Sequence, residues 1–328
     1  MARQRLKVLV TTKLPRKVEA RMMELFDCTL ARGDHSMDPA ELAAAIRECD
    51  VLVPTVTDRI DASLIAQAQP RLKLIASFST GVDHIDLAAA RQAGIMVTNT
   101  ANVLSEDTAD MAMALIMAVP RRLGEGERMV RAGRWRRWQL TSMLGQRIWG
   151  KKLGIIGMGR IGLAVARRAR GFGLSIHYHN RNRVAKAEED ALEAQWWGDL
   201  DQMLSRVDFV SLHCPHTPAT HHLLDARRIA LMRRDAILIN TSRGGLIDEQ
   251  ALIAALQSGH LAGAGLDVYE SEPVIDPAWL AMENVILLPH MSSATIEGRE
   301  EMGERVLINI QTFADGHRPP DRIIPDPG

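Results

Sequence analysis

The 328-residue chain has only three cysteines, Cys28, Cys49 and Cys214. An odd number with no paired metal-ligand spacing excludes a disulfide framework and a cysteine-based zinc site, and it fits a reducing compartment. Net charge is missing as well. Forty Lys and Arg balance forty Asp and Glu, so no global field draws the chain toward nucleic acid or an anionic membrane. No apolar run is long: the longest, Met111 to Pro120, falls far short of the roughly 20 residues that span a bilayer. Ala2 to Thr12 has too short an apolar core for a secretory signal. Fixed-period repeats and low-complexity tracts are absent too. A cytoplasmic protein with neither a membrane nor a nucleic-acid partner is expected. What the chain does have is apolar material, 46% of its residues, over a length that suits about two domains.

Short β-branched or apolar runs alternate with helical patterns along nearly the whole chain. Val8–Val10, Val51–Val53, Leu74–Ala76 and Met96–Thr98 form a first series of predicted strands. Lys152–Ile156, Ser175–Tyr178, Phe209–Leu212, Ala236–Ile239 and Val285–Leu288 form a second. This alternation predicts an α/β fold with two doubly wound parallel sheets. Asp38-Pro39-Ala40-Glu41 reads as a capped helix start. Ser105 to Val119, with no Gly or Pro, predicts one long buried helix joining the two series, with Met111, Met113 and Met117 as core filler. Only the proline-rich tail from Arg318 to Gly328 is expected to be loose.

Gly157-Met158-Gly159-Arg160-Ile161-Gly162 follows directly on a predicted strand and opens an Ala/Arg-rich helix. In that context the glycines suit a Rossmann turn in which a pyrophosphate approaches the backbone and meets the helix N-terminus. An acid at the end of the next strand would hold a ribose 2′-hydroxyl. None is present there; the strand ends in Asn180-Arg181-Asn182-Arg183. Two guanidinium groups suit a 2′-phosphate, so NADP(H) is the expected cofactor and NAD(H) the alternative.

Three segments sit at the carboxyl ends of predicted strands in the second series: Asn240–Gly245, Gly265–Pro273 and Leu288–Ser293. Open α/β sheets build their sites at such ends. Arg243, Glu272 and His290 supply what hydride transfer to an α-keto acid requires. A guanidinium binds the carboxylate and polarises the carbonyl, an imidazolium gives a proton to the forming alkoxide, and a carboxylate holds that imidazolium.

With GMGRIG at Gly157, HCPHTPAT at His213, NTSRGGLID at Asn240, GLDVYESEP at Gly265 and LLPHMSSAT at Leu287, the chain resembles the D-isomer-specific 2-hydroxyacid dehydrogenases. Within them it is similar to the glyoxylate/hydroxypyruvate reductases over essentially its full length. The resemblance implies reduction of a small 2-keto acid to the D-2-hydroxy acid. It makes Glu272, not Glu270, the acid partner of His290, and leaves Glu270 a solvated or supporting acid. It puts the substrate carboxylate on backbone N–H groups of Thr80, Gly81 and Val82. It implies cofactor contacts at Thr108, Arg160, Ile161, Cys214, Pro215, Thr220, Thr241, Ser242, Asp267, Ser292 and Ser293, besides the glycines, Arg243 and His290. It also implies a discontinuous substrate domain, residues 1–101 with 290–328, a dinucleotide domain over 102–289 and an active-site cleft between the two. A homodimer is expected, joined through an arm at about 121–150 that includes Gly133–Trp138, with Trp138 limiting substrate size. One departure is Ser292, where the family commonly has glycine; its side chain is expected to tune the loop beside His290.

Other readings compete. His213, His216, His221 and His222 lie close in sequence, but no nearby acid or cysteine pair completes a metal set, so no metal is expected. Arg121 to Arg137 holds seven arginines against two glutamates and fits a dimer surface better than a nucleic-acid patch. Nucleotide-sensing corepressors share the fold, the fingerprint and the triad; the short stretch after His290 leaves little room for interaction tails. A D-3-phosphoglycerate dehydrogenase usually carries an extra C-terminal domain, and Glu272 stands where a formate dehydrogenase would have an amide.

Overall fold

A chain that alternates buried three- to five-residue strands with amphipathic helices has one economical arrangement, parallel sheets covered on both faces. The computed structural model describes residues 5–31, 33, 35 and 37–324, and it divides into two compact units, Met1–Leu104 with Ala294–Gly328, and Ser105–Ser293. The first unit contains β1 (Lys7–Val10), β2 (Asp27–Leu30), β3 (Val51–Val53), β4 (Leu74–Ala76) and β5 (Met96–Thr98). The second contains β6 (Lys152–Ile156), β7 (Ser175–His179), β8 (Gln195–Trp196), β9 (Phe209–Leu212), β10 (Ile237–Asn240), β11 (Gly263–Leu266) and β12 (Val285–Leu287). A last strand, β13 (Arg322–Ile324), returns to the first.

The first sheet runs β13-β5-β4-β3-β1-β2, parallel except for β13, which lies antiparallel to β5. Alternate residues feed its two faces: Leu9, Leu52 and Ile75 enter one apolar cluster, Val8, Val10, Val51, Val53 and Leu74 the other. The cap expected at Asp38 is formed, its carboxylate accepting from the Ala40 N–H at 2.8 Å, with Pro39 in the first turn.

The second sheet, β12-β11-β10-β9-β6-β7-β8, is parallel throughout. Strand β6 is flanked by β7 on one side and β9 on the other, so the strand order reverses at the carboxyl end of β6. That is where an open α/β sheet leaves a crevice for a ligand.

Four elements have no apolar run to announce them. Strand β2 reads Asp-Cys-Thr-Leu on the sheet edge, and β8 is two residues long. Strand β11 reads Gly-Ala-Gly-Leu because its neighbours leave no room for side chains: a methyl group at Gly263 would come 2.6 Å from Asn284 O, and one at Gly265 would come 3.0 Å from Leu115 of helix Ser105–Ala118. The fourth, β13, corrects the expectation of a loose tail. Asp321, ahead of the strand, accepts from Asn309 Nδ2 and Arg305 Nε, both at 2.9 Å, and Arg322 pairs with Thr98. Residues 325–328 of that tail lie outside the described residues, as do residues 1–4 at the start of the Ala2–Thr12 segment.

Helix Ser105–Ala118 also departs from its expected full burial. It hides one face, through Thr108, Ala109, Ala112, Met113, Leu115 and Ile116, while Met111 is half-buried and Met117 exposed. Strand β10 starts one residue later than expected, at Ile237, and β12 ends one earlier, at Leu287. Among the described residues no helix is long and apolar enough to cross a membrane.

Candidate active site

The carboxyl ends of β6, β7, β9, β10, β11 and β12 carry almost every residue singled out in the second unit. Gly157 closes β6 with φ +93°, a left-handed conformation open to glycine at little cost, and its N–H donates to His179 O at the end of β7. A methyl group there would come 2.5 Å from the Cys214 nitrogen after β9. One at Gly162 would come 2.5 Å from Gly157 O, so the third glycine lets helix Arg160–Gly171 close on the loop. At Gly159, the N-cap, a methyl group would meet nothing within 4 Å, and no side chain caps the helix. The helix therefore opens onto free space with its first N–H groups uncapped, and Arg160 is exposed at its first position with Ile161 half-buried beside it.

After β7 the two arginines separate. Arg183 grips Glu189 through Nε at 3.0 Å and Nη2 at 2.5 Å and lies over the Trp196 ring. Tyr178 adds its hydroxyl to the same buried carboxylate. Hydrogen bonds from Arg183 and Tyr178 hold the Glu189 carboxyl down at about 2, so it stays a full anion opposite Arg183. Arg181, by contrast, is exposed and makes no hydrogen bond among the described residues. Asn180 is also committed: its side-chain oxygen accepts from Met158 N at 2.7 Å, latching the strand end to the glycine loop.

The loop after β9 is likewise internally bonded. Cys214 O accepts from Ser242 Oγ at 2.7 Å, and burial pushes the Cys214 thiol up to about 11. Desolvation pushes His213 down to about 4. Thr220 Oγ accepts from Thr217 N and donates to Pro215 O, both at 2.8 Å, so the hydroxyl expected to face a nucleotide shapes its own turn. Thr241 and Thr108 are buried, and Ser293 is half-buried.

The three residues expected to do the chemistry are presented by adjacent strand ends. His290 Nδ1 donates to Glu272 Oε2 at 2.7 Å, and Glu272 Oε1 accepts from Tyr269 N at 2.9 Å. Both side chains remain about one-third exposed. With Nδ1 committed to the carboxylate, Nε2 is the ring nitrogen left to face a reacting group. Half-burial works to raise the Glu272 pKa, but the bonds from His290 and Tyr269 and the charges of His290 and Arg243 outweigh it, holding the carboxyl below its ordinary value. The Arg243 backbone is fixed by Asn240, whose Nδ2 donates to Arg243 O at 2.9 Å, and Arg243 Nη1 donates to Ser242 O at 2.7 Å. Gly244 follows because any side chain there would run into the Tyr269 backbone. The close approach keeps the arginine loop beside the glutamate loop.

Asp267 is the residue whose role sequence reasoning missed. It is fully buried, and its two carboxylate oxygens accept from Met291 N at 2.7 Å and Ser292 N at 2.8 Å. Its carbonyl accepts from His290 N at 2.9 Å. His290 sits at φ +51°, a conformation that costs a β-carbon residue energy, and three bonds to Asp267 hold it there. Ser292 is buried but has no left-handed φ, so the glycine common at this position is not needed for backbone freedom here. Nothing in the residue type advertised this task, since the partners are backbone N–H groups.

In the first unit, the loop after β4 carries Thr80, Gly81 and Val82. Its carbonyls are engaged: Ser79 O by Thr100 N, Thr80 O by Asn99 Nδ2, Gly81 O by Ser79 Oγ and Val82 O by Ile85 N. The N–H groups of Thr80, Gly81 and Val82 make no hydrogen bond among the described residues. Such a run of open donors suits an anion. Glu270, expected to be a solvated or supporting acid, is exposed and accepts from His222 Nε2 at 2.6 Å. Trp138 is strongly exposed on an irregular segment of the second unit.

Residues 113–292 match the D-isomer specific 2-hydroxyacid dehydrogenase, NAD binding domain, family. The chain is 43% identical to a glyoxylate reductase of Thermococcus litoralis, over 98% of this chain and 97% of that protein. An NADPH-dependent glyoxylate/hydroxypyruvate reductase of Sinorhizobium meliloti, solved with NADP and malonate, superposes with a TM-score of 0.86 at 34% identity, covering 98% of this chain and 97% of that one. A glyoxylate reductase of Paecilomyes thermophila gives a TM-score of 0.87 at 32% identity, covering 98% and 99%.

If Asp267 holds His290 in place, Asp267→Asn sets an NH2 against a backbone N–H and frees the loop. Turnover should fall by about 100-fold, the scale expected for a misplaced reacting group, while circular dichroism keeps the native spectrum. Steady-state kinetics near wild type would remove the positioning role.

Proposed function

The chain belongs to the D-isomer specific 2-hydroxyacid dehydrogenases, and we propose that it reduces glyoxylate or hydroxypyruvate with NADPH as hydride donor. The observation that carries this reading is the His290–Glu272 pair with Arg243 beside it, at the strand ends of a sheet whose glycine loop fits a dinucleotide. The fit rests on the open space before Gly159, the uncapped helix N-terminus and the two glycines that admit no side chain. When bound, the nicotinamide supplies a hydride to the carbonyl carbon of the keto acid.

His290 gives its Nε2 proton to the carbonyl oxygen as that oxygen gains charge. Glu272 orients the ring from behind and balances the imidazolium until the proton leaves. Arg243 binds the substrate carboxylate and polarises the carbonyl, and its planar fork suits both tasks. The open amides of Thr80, Gly81 and Val82 are suited to an anion such as a carboxylate. A D-2-hydroxy acid results from hydroxypyruvate, and achiral glycolate from glyoxylate.

Preference for NADPH is supported by Arg181. No acid follows β7 to repel a 2′-phosphate, and the Arg181 guanidinium is exposed and uncommitted among the described residues, whereas Arg183 already serves Glu189. The Sinorhizobium meliloti relative, itself NADPH-dependent, is consistent with this. We further propose a homodimer joined through the arginine-rich arm. Leu123, Val130, Trp135, Trp138, Leu140 and Leu144 are all exposed within this short segment, and a contiguous apolar surface of this kind marks an interaction site. A second copy is its proposed cover, with Trp138 limiting substrate size.

Nicotinamide oxidation by the purified chain should be fastest with NADPH and with glyoxylate or hydroxypyruvate rather than pyruvate. Arg181→Ala should raise the KM for NADPH by about 10-fold or more, the weight of a charge-assisted bond, and leave NADH unaffected. Equal use of both cofactors by wild type and variant would overturn the assignment. Arg243→Lys keeps the charge but loses the fork, so kcat/KM for the keto acid should drop by about 100-fold; near-normal turnover would count against its role. Light scattering should give twice the 36.3 kDa chain mass, and a monomer at micromolar concentration would refute the dimer.

A further inference from the structure

Outside the catalytic set, the loops after β9 and β11 bring together side chains that sequence spacing had kept apart. His221, His222 and Glu270 each offer a ligand atom, all within 4.8 Å of one another. Glu270 lies 48 residues beyond His222, which is why spacing along the chain did not connect it with the histidines. His222 Nε2 is 2.6 Å from Glu270 Oε1, and the His221 and His222 rings stack at 3.9 Å. A fourth group is at hand, with His216 Nε2 3.2 Å from His221 Nδ1.

The backbone beneath the cluster is anchored. His222 N donates to Gly245 O at 2.9 Å, and a methyl group at Gly245 would come 2.8 Å from His216 Nε2, so this backbone lies close against the His216 ring. Glu270 N donates to Glu249 Oε2 at 3.0 Å, and the other oxygen of Glu249 takes Trp279 Nε1 at 2.7 Å. The ligand side chains themselves are exposed or half-buried, so an ion can reach them from water.

We propose that His221, His222 and Glu270, with His216 as a fourth donor, form a site for a divalent transition ion of the Zn²⁺, Cu²⁺ or Ni²⁺ class. Imidazole with one carboxylate selects these ions over Mg²⁺ or Ca²⁺, which require oxygen shells. Two donors about 2.1 Å from a tetrahedral ion stand about 3.4 Å apart; the observed 3.2 Å and 2.6 Å lie within small side-chain rotations of that value. A bound ion staples the turn after β9 to the loop that, two residues on, carries Glu272. The site is independent of the proposed reaction and needs none of its residues.

The test uses the full chain, freed of metal with chelator, and Zn²⁺ itself as the probe. Titration against a chromogenic chelator should show one ion per chain. His221→Ala, His222→Ala and Glu270→Gln should each weaken it by about 10- to 100-fold, while His290→Ala and His317→Ala leave it unchanged. Zn²⁺ should raise the melting temperature of wild type and of His317→Ala but not of His222→Ala, because only a ligand that prefers the folded state stabilises it. His221→Ala, at an exposed position, keeps the comparison valid if His222→Ala fails to fold. No ion bound by wild type, equal affinity in wild type and the cluster variants, or loss of the ion in His290→Ala would each overturn the proposal.

Discussion

A single buried carboxylate ties the site together. Asp267 follows β11 directly, and from there it meets β10 and the segment after β12. Its N–H donates to Asn240 O at 2.9 Å, its carbonyl takes His290 N, and its side chain takes Met291 N and Ser292 N. A charge with no exposure to water is tolerable only when such donors satisfy it. Because Asn240 also holds the Arg243 carbonyl, one residue, through its backbone and its carboxylate together, registers the arginine, glutamate and histidine loops against each other. The left-handed backbone of His290 is the visible consequence of that clamp.

Close backbone approach is the second constraint. Gly157 and Gly162 let the end of β6 touch the loop after β9 and the following helix, and Gly244 lets the arginine loop lie on the Tyr269 backbone. Each contact occupies the place of a side chain. The glycine loop after β6 and the arginine loop after β10 are thus built by the same device, absence of a β-carbon where two loops must meet.

Local geometry gives neighbouring charges different partners. Of the two arginines that follow β7, Arg183 is tied to the buried Glu189 and Tyr178, and Arg181 makes no hydrogen bond among the described residues. The same division separates Glu272, turned toward His290, from Glu270, turned toward His222, although only Ser271 lies between them.

Much of this was legible in the amino-acid order. Buried parallel strands need continuous apolar runs, so β1, β3, β4, β5, β6, β7, β9, β10 and β12 announced themselves; Gly157–Gly162 and the Arg243, Glu272 and His290 segments could be read because their constraints act within a few residues. Edge strand β2 and the tail strand β13 could not, since a neighbouring strand, rather than their own residues, stabilises them, and glycine-bearing β11 was marked only by the segment that follows it. Tertiary structure alone decided that Arg183 is occupied, that Asp267 clamps the histidine loop, and that Glu270 joins the histidines. Each of those outcomes depends on groups brought close by sheet order. Backbone N–H groups in particular carry no residue identity, so no pattern of residue types along the chain can reveal where they converge.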